Sequence, residues 1–95
     1  MAKLTPDQIT QALTQLSGWT STPEGIRKKY ELPTYPDAIT FVTRVAFAAE
    51  KADHHPDLTI NYRWVTATLI THSEGGVTQK DVDMAATIER LHQHR

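Results

Sequence analysis

The chain contains no cysteine in its 95 residues. That excludes a disulfide framework, a thiolate nucleophile and any sulfur-ligated metal centre, and it gives no sign of an oxidising compartment. Charge of either sign is also nearly absent in the balance: ten Lys and Arg against eleven Asp and Glu leave a formal net charge of −1 with His neutral. Nucleic-acid affinity rests on neutralised phosphates, so direct nucleic-acid binding is not expected. No apolar run approaches a membrane span, and the opening Met1-Ala2-Lys3-Leu4-Thr5-Pro6 has no stretch of signal-peptide length, which makes the cytosol the expected compartment. No repeat, low-complexity tract or linker divides the chain, so residues 1–95 read as a single domain. A domain this small buries a modest share of its surface, and self-association is a common remedy.

What the chain does have is well-punctuated patterning. Thr5, Pro6 and Gln8 form the start of a helix with a capping box, Ile9, Ala12, Leu13 and Leu16 follow at helical spacing, and Gly18 stands where a C-terminal cap belongs. Trp19 to Thr22 suggests a short strand. Ile26, Lys28, Tyr30 and Leu32 alternate with Arg27, Lys29 and Glu31 in a second. The Arg27-Lys28-Lys29 run reads as a solvated or edge strand guarded by lysines rather than as a phosphate site.

A second helix is expected from Thr34 to Pro36 onward, with Asp37 in its first turn. Its wide apolar face comprises Ala38, Ile39, Phe41, Val42, Val45, Ala46, Ala49 and Ala52. It must stop by His55, because Pro56 disfavours helical geometry in the residue before it. Leu58, Ile60 and Tyr62, then Val65, Ala67 and Leu69, alternate as a hairpin that turns near Arg63. Thr78 opens a last helix with Asp81 three residues on, and Met84, Ala85, Ile88 and Leu91 line its apolar stripe. The order α-β-β-α-β-β-α predicts an α+β fold, a four-stranded antiparallel sheet with three helices packed on one face.

Five histidines are present, and His54, His55 and His72 occupy turn positions rather than core stripes. A hairpin turn centred between Arg63 and Trp64 sets His55 opposite His72. A turn one residue earlier sets Asp53 opposite His72 and His54 opposite Thr71. Either register brings the three imidazoles to one end of the sheet. Adjacent side chains diverge by about 100° on a helix and about 180° on a strand. The break at Pro56 is therefore the feature expected to let both neighbours face one pocket. Glu50, one turn before His54, and the adjacent Asp53 add carboxylates.

Imidazole titrates near neutrality, and two of them across a substrate can act as acid and base together. That is what an elimination of water requires. A three-histidine zinc site fits less well, because zinc sites favour His-x-His or i, i+4 pairs over adjacent residues. Helix-dipole stabilisation would account for His54 but not His72. It suits His92 and His94, which stand with Arg95 near the end of the last helix.

The run Glu50-Lys51-Ala52-Asp53-His54-His55-Pro56, followed by Tyr62, Val65, Leu69, Thr71-His72, Gly76, Thr78 and Asp81, resembles the pterin-4a-carbinolamine dehydratases. The match spans the second half of the chain with compatible spacing; the first half is similar mainly in element order. The resemblance implies dehydration of a 4a-hydroxytetrahydropterin to a quinonoid dihydropterin without metal or bound cofactor, in a homodimer or homotetramer. It implies His54 and His72 as the acid–base pair and His55 as a pterin binder. Glu50 and Asp53 would support the site electrostatically, Thr71 would offer backbone contacts to the pterin, and Asp81 would orient His72 or serve as a helix-start carboxylate. Leu58 stands where the family often has an aromatic, so no ring stacking is implied there. Relatives that act as dimerisation or assembly factors suggest the alternative of a non-catalytic pterin-binding or interaction protein. Those that assist assembly tend to lose the histidine motif, which this chain keeps.

Overall fold

The computed structural model describes residues 2–94; Arg95, grouped above with His92 and His94, lies outside the described residues. Thr5 accepts from the Gln8 amide and the Gln8 side chain accepts from Thr5, which starts α1 (Pro6–Leu13). The α-helix ends sooner than the Gly18 signal suggests. Beyond Leu13 the chain tightens into i→i+3 bonds, and Gly18 takes a φ of +85° before the first strand. Strands β1 (Thr20–Thr22) and β2 (Gly25–Glu31) precede α2 (Tyr35–Ala52). Then come β3 (Asp57–Asn61), β4 (Trp64–Leu69), a single 3-10 turn at His72–Glu74, and α3 (Gln79–Gln93). The α+β architecture and the element order are those the patterning predicts.

The sheet is antiparallel throughout in the order β1-β2-β4-β3. Its inward positions, Ile26, Tyr30, Val65, Ala67 and Leu69, are buried against Phe41, Val45 and Ala49 of α2 and Met84, Ala85 and Ile88 of α3. Each fully buried Val, Leu, Ile, Phe or Met among them contributes about 1.5–3 kcal/mol relative to exposure, so this layer holds the molecule together. β2 lies between β1 and β4, but β1 pairs only with Gly25 to Arg27, so the edge-strand reading is corrected for Arg27 and holds for Lys28 and Lys29. Lys28 has inward parity and survives there by pairing with Glu89 of α3 at 2.6 Å. The α2 face is narrower than its composition suggests: Phe41 and Val45 are spent in the core, while Ile39 and Phe47 remain exposed.

The hairpin adopts the earlier of the two registers. Asn61 pairs with Trp64 and Asp57 with Thr68, around a two-residue turn in which Tyr62 has a φ of +56°. Continuing that ladder brings His54 level with Thr71.

Candidate functional site

The site is assembled from three element ends. The first is the C-terminus of α2, where Asp53 adopts left-handed geometry (φ 51°, ψ 43°). The Asp53 amide donates to Glu50 O and the His54 amide donates to Ala49 O, the paired 5→2 and 6→1 bonds of a Schellman motif. Aspartate tolerates this conformation better than most residues. The reversal at Asp53, two residues before the His55 limit set by Pro56, is what separates the two histidines. His54 turns inward, with 12% of its side chain exposed; His55 stays outside, where its Nε2 lies 2.7 Å from Glu50 Oε1 and both side chains are more than half exposed. The two imidazoles thus face different surroundings, rather than sharing a single wall as the break at Pro56 suggested.

The second end is the N-terminus of α3. Thr78 caps it, accepting from the Lys80 amide at 3.2 Å, and the Thr78 amide donates to Asp81 Oδ2 at 2.8 Å. Asp81 is fully buried, and its carboxylate is completely engaged by protein donors. Oδ2 also accepts from the Thr71 hydroxyl at 2.8 Å, and Oδ1 lies 2.5 Å from His54 Nε2. The Thr71 hydroxyl in turn lies 2.8 Å from that of Thr78. Asp81 therefore serves the helix cap and orients His54, not His72; the expectation that it would orient His72 is corrected. A carboxylate can only accept, so the hydrogen of this bond sits on His54 Nε2, and in the neutral imidazole Nδ1 is the acceptor.

The third end is the loop after β4. Thr71 and Gly76 bridge each other, enclosing the 3-10 turn in which His72 is exposed, with no hydrogen-bond partner for its ring among the described residues. His54 and His72 are thus connected through one residue: Thr71 touches the carboxylate that holds His54, and His72 follows it directly in the chain. Of the sequence-derived residues, His54, Thr71 and Asp81 form one hydrogen-bonded unit, Glu50 pairs with His55, and Asp53 shapes the turn from an exposed position. A cleft of about 200 Å³ opens beside His54, lined also by Lys80, Asp83, Met84 and Thr87. Among the described residues, no group of three His, Asp or Glu side chains is arranged to hold a metal ion, and no helix is long and apolar enough to cross a membrane.

Sequence reasoning missed the polar cluster at the opposite end of α3. Glu89 Oε1 accepts from Lys28 Nζ and the Tyr30 hydroxyl, each at 2.6 Å, and from Trp19 Nε1 at 3.3 Å. Burial pushes the Glu89 carboxyl up, but the Lys28 and Tyr30 donors, the Lys28 charge and Trp19 outweigh it and hold the group below its ordinary range. Burial, then the bond to Glu89 and its charge, drive the Tyr30 hydroxyl far above its ordinary value. The signal was available: Asp81, Ala85 and Glu89 share a stripe at i, i+4 and i+8, and Lys28 has inward parity on its strand. His92 belongs to this end as well. Its ring packs against Tyr30 and Phe41, with centroids 4.8 and 5.6 Å away, and it stands in the last turn of α3, where the dipole reading placed it.

The profile of the family described as Pterin 4 alpha carbinolamine dehydratase matches residues 2–91. A protein of that name from Roseiflexus castenholzii is 50% identical over 92 residues, covering 96% of this chain and 99% of its own. Another from Mycobacterium avium is 51% identical over 91 residues, covering 96% and 97%. Among solved structures, the transcriptional coactivator/pterin dehydratase from Brucella melitensis superposes with a TM-score of 0.90 at 36% identity, covering 95% of this chain and 98% of that one.

Proposed function

The chain belongs to the pterin-4a-carbinolamine dehydratase family of hydro-lyases, and we propose that it removes water from a 4a-hydroxytetrahydropterin by proton transfer through His54 and His72. One imidazole takes the N5 proton, the freed pair forms the N5–C4a double bond, and the C4a–O bond breaks as the other imidazole protonates the departing hydroxide. The products are quinonoid dihydropterin and water, and no electron is gained or lost. The observation that carries this reading is the His54–Asp81–Thr71 unit. A buried carboxylate fixes one imidazole in a single tautomer and leaves Nδ1 free at the end of the sheet where His72 emerges.

In this scheme His55 binds and orients the pterin, backed by Glu50, and Asp53 supplies a polar contact at the rim. Thr71, buried with its hydroxyl and backbone groups engaged by Asp81, Thr78, Glu74 and Gly76, acts through the unit that holds His54 instead of offering the backbone contacts the resemblance implied. Asp81 acts through His54, since its own oxygens are occupied by protein donors. No metal or organic cofactor is invoked, the single domain over residues 1–95 suffices, and the cytosol is the compartment. We assign the active form to a homo-oligomer, a dimer or tetramer. The exposed Tyr35, Ile39, Phe47, Ile60 and Tyr62 all lie on α2 or the β3 hairpin, and β3 is an open sheet edge. The same apolar surface favours the second reading, an interaction or assembly factor that binds pterin without turning it over.

Chemically generated 4a-hydroxytetrahydropterin, followed optically, separates the two. The enzyme accelerates its loss. His54→Ala or His72→Ala lowers kcat by about 10²- to 10⁴-fold, the usual contribution of a positioned acid or base, whereas His55→Ala chiefly raises KM. Loss of the intermediate at the buffer rate with wild-type protein sinks the enzyme reading. Light scattering that finds only monomer at micromolar concentration removes the oligomer.

A further inference from the structure

The loop that carries His72 is poorly supported by the core. Behind it lies a cavity of about 240 Å³, bounded by Leu4 and Pro6 of the N-terminal segment, Pro23 and Gly25 of the β1–β2 turn, and Gly75 and Gly76 of the loop. The loop folds back on itself: Thr71 N donates to Gly76 O at 3.0 Å, Gly75 N donates to His72 O at 3.1 Å, and Gly75 adopts a φ of +70° with open space around it. Thr71 is anchored on the Asp81 side. The other stem of the loop, Gly76–Val77, needs an anchor of its own if His72 is to stay in place.

That anchor is the segment just before α1. The Leu4 amide donates to the Val77 carbonyl at 2.7 Å, the shortest backbone bond of the turns and caps. Leu4 is half-buried and packs on the core beside the buried Val77. The Lys3 side chain lies across Gly76 so closely that a Cβ built on Gly76 would stand 3.1 Å from Lys3 Cδ. The Thr5–Gln8 capping box immediately follows, so the segment enters a fixed helix and is itself held at one end. We propose that residues 3–5 form a strap that positions His72, through Leu4 on Val77 and Lys3 over Gly76. The Val77 carbonyl that Leu4 holds shares its peptide group with the Thr78 amide that donates to Asp81, so the strap acts first on the loop of His72 and only through that peptide and Asp81 on His54. The assignment of a catalytic consequence rests on the dehydratase reading; the mechanical role does not.

Leu4→Pro removes the donating amide, and Leu4→Ala keeps it while trimming the apolar contact. In Leu4→Pro, hydrogen exchange at the Gly76 amide accelerates at least tenfold and the His72 ring resonances shift, with a smaller shift at His54 through the shared Val77–Thr78 peptide. kcat falls about tenfold with little change in KM, because a small displacement of a catalytic group costs rate before affinity. Leu4→Ala shows a smaller effect on each readout. Should Leu4→Pro fail to fold, Gly76→Ala tests the same strap: its Cβ displaces Lys3, giving the same pattern of changes, and Lys3→Ala in the same chain restores the wild-type signals. A folded Leu4→Pro, or a Gly76→Ala, with unchanged Gly76 exchange and unchanged His72 resonances overturns the strap, as do equal shifts at His54. If exchange and resonances respond but wild-type protein has no turnover, the strap stands and the dehydratase reading falls.

Discussion

Asp81→Asn is the substitution that asks most of the site. The asparagine is isosteric, so the packing around a fully buried position is kept. Its amide has one acceptor and one donor end where the carboxylate had two acceptors. Two donors, the Thr71 hydroxyl and the Thr78 amide, converge on Oδ2, and only His54 Nε2 meets Oδ1. The amide oxygen is therefore drawn to the Thr71 and Thr78 side, and the NH₂ is turned towards His54. That forces Nε2 to accept and moves the imidazole hydrogen to Nδ1, the atom the proposed chemistry needs free.

Two magnitudes follow. Charge-assisted bonds of about 1.5–3 kcal/mol become neutral ones of about 0.5–1.5, while the number of bonds is preserved. The net cost to folding is then about 1–3 kcal/mol, which for a domain of this size lowers Tm by roughly 5–20 °C. For catalysis, an inverted imidazole tautomer in a hydrolase triad costs on the order of 10⁴ in rate. A fall in kcat of about 10²- to 10⁴-fold is expected here, with KM changed little. Thermal unfolding by circular dichroism gives the first quantity, the optical dehydration assay the second, and ¹⁵N shifts of the His54 ring report the tautomer directly. A folded Asp81→Asn protein that keeps kcat within about twofold would falsify the tautomer argument. So would an unchanged His54 tautomer, whatever the rate.

Glu89 makes a separate claim about stability. Its folded-state carboxyl is held below the ordinary value of 4.5, so its contribution is fully present above that pH and is lost as pH falls through the lowered folded value. Wild-type protein should lose stability in acid more steeply than Glu89→Gln, with the two curves converging as pH falls through the lowered folded value; denaturant titrations at stepped pH read this, and parallel curves would count against it. Gly25→Ala should be among the most damaging single-methyl insertions available. The new Cβ would stand 2.1 Å from the Leu69 carbonyl, on a backbone with a φ of +126°, and a loss of more than about 2 kcal/mol in urea unfolding is expected from overpacking and left-handed strain together. A near-neutral result would mean that β2 and β4 can separate locally at little cost.

The helices and strands were legible because their apolar residues recur at the periods the backbone imposes, and the caps at Thr5, Thr34 and Thr78 sit where the hydrogen bonds require them. The hairpin register was legible only to within one residue. An Asn-Gly turn would have settled it, but this turn puts Tyr62 in left-handed geometry, which composition does not announce. Pro56 was expected to let His54 and His55 face one pocket, whereas the motif at Asp53 sends them apart; proline limits where a helix ends, and the capping bonds decide where it does end. The Lys28–Glu89 pair was missed because 61 residues separate its members, although each is a charge on an inward stripe.

Asp81 shows why the remaining ambiguity could not have been resolved by choosing. Read from sequence, it was either a helix-start carboxylate or a group that orients a histidine. In the fold one oxygen caps α3 through the Thr78 amide and the other holds His54. The two roles belong together because the site is built from element ends, and an element end is where backbone donors lack partners and polar side chains must be recruited. A buried carboxylate that only capped the helix would leave one oxygen to satisfy, and a carboxylate that only held a histidine would leave another. Joining the two satisfies both, and among the described residues no buried side-chain polar atom is left without a partner. It follows that stability and activity at position 81 are coupled and cannot be separated by any single substitution there. His72, which is held through the backbone on both sides of its loop, is where the proposed catalysis is expected to weaken with the fold left intact.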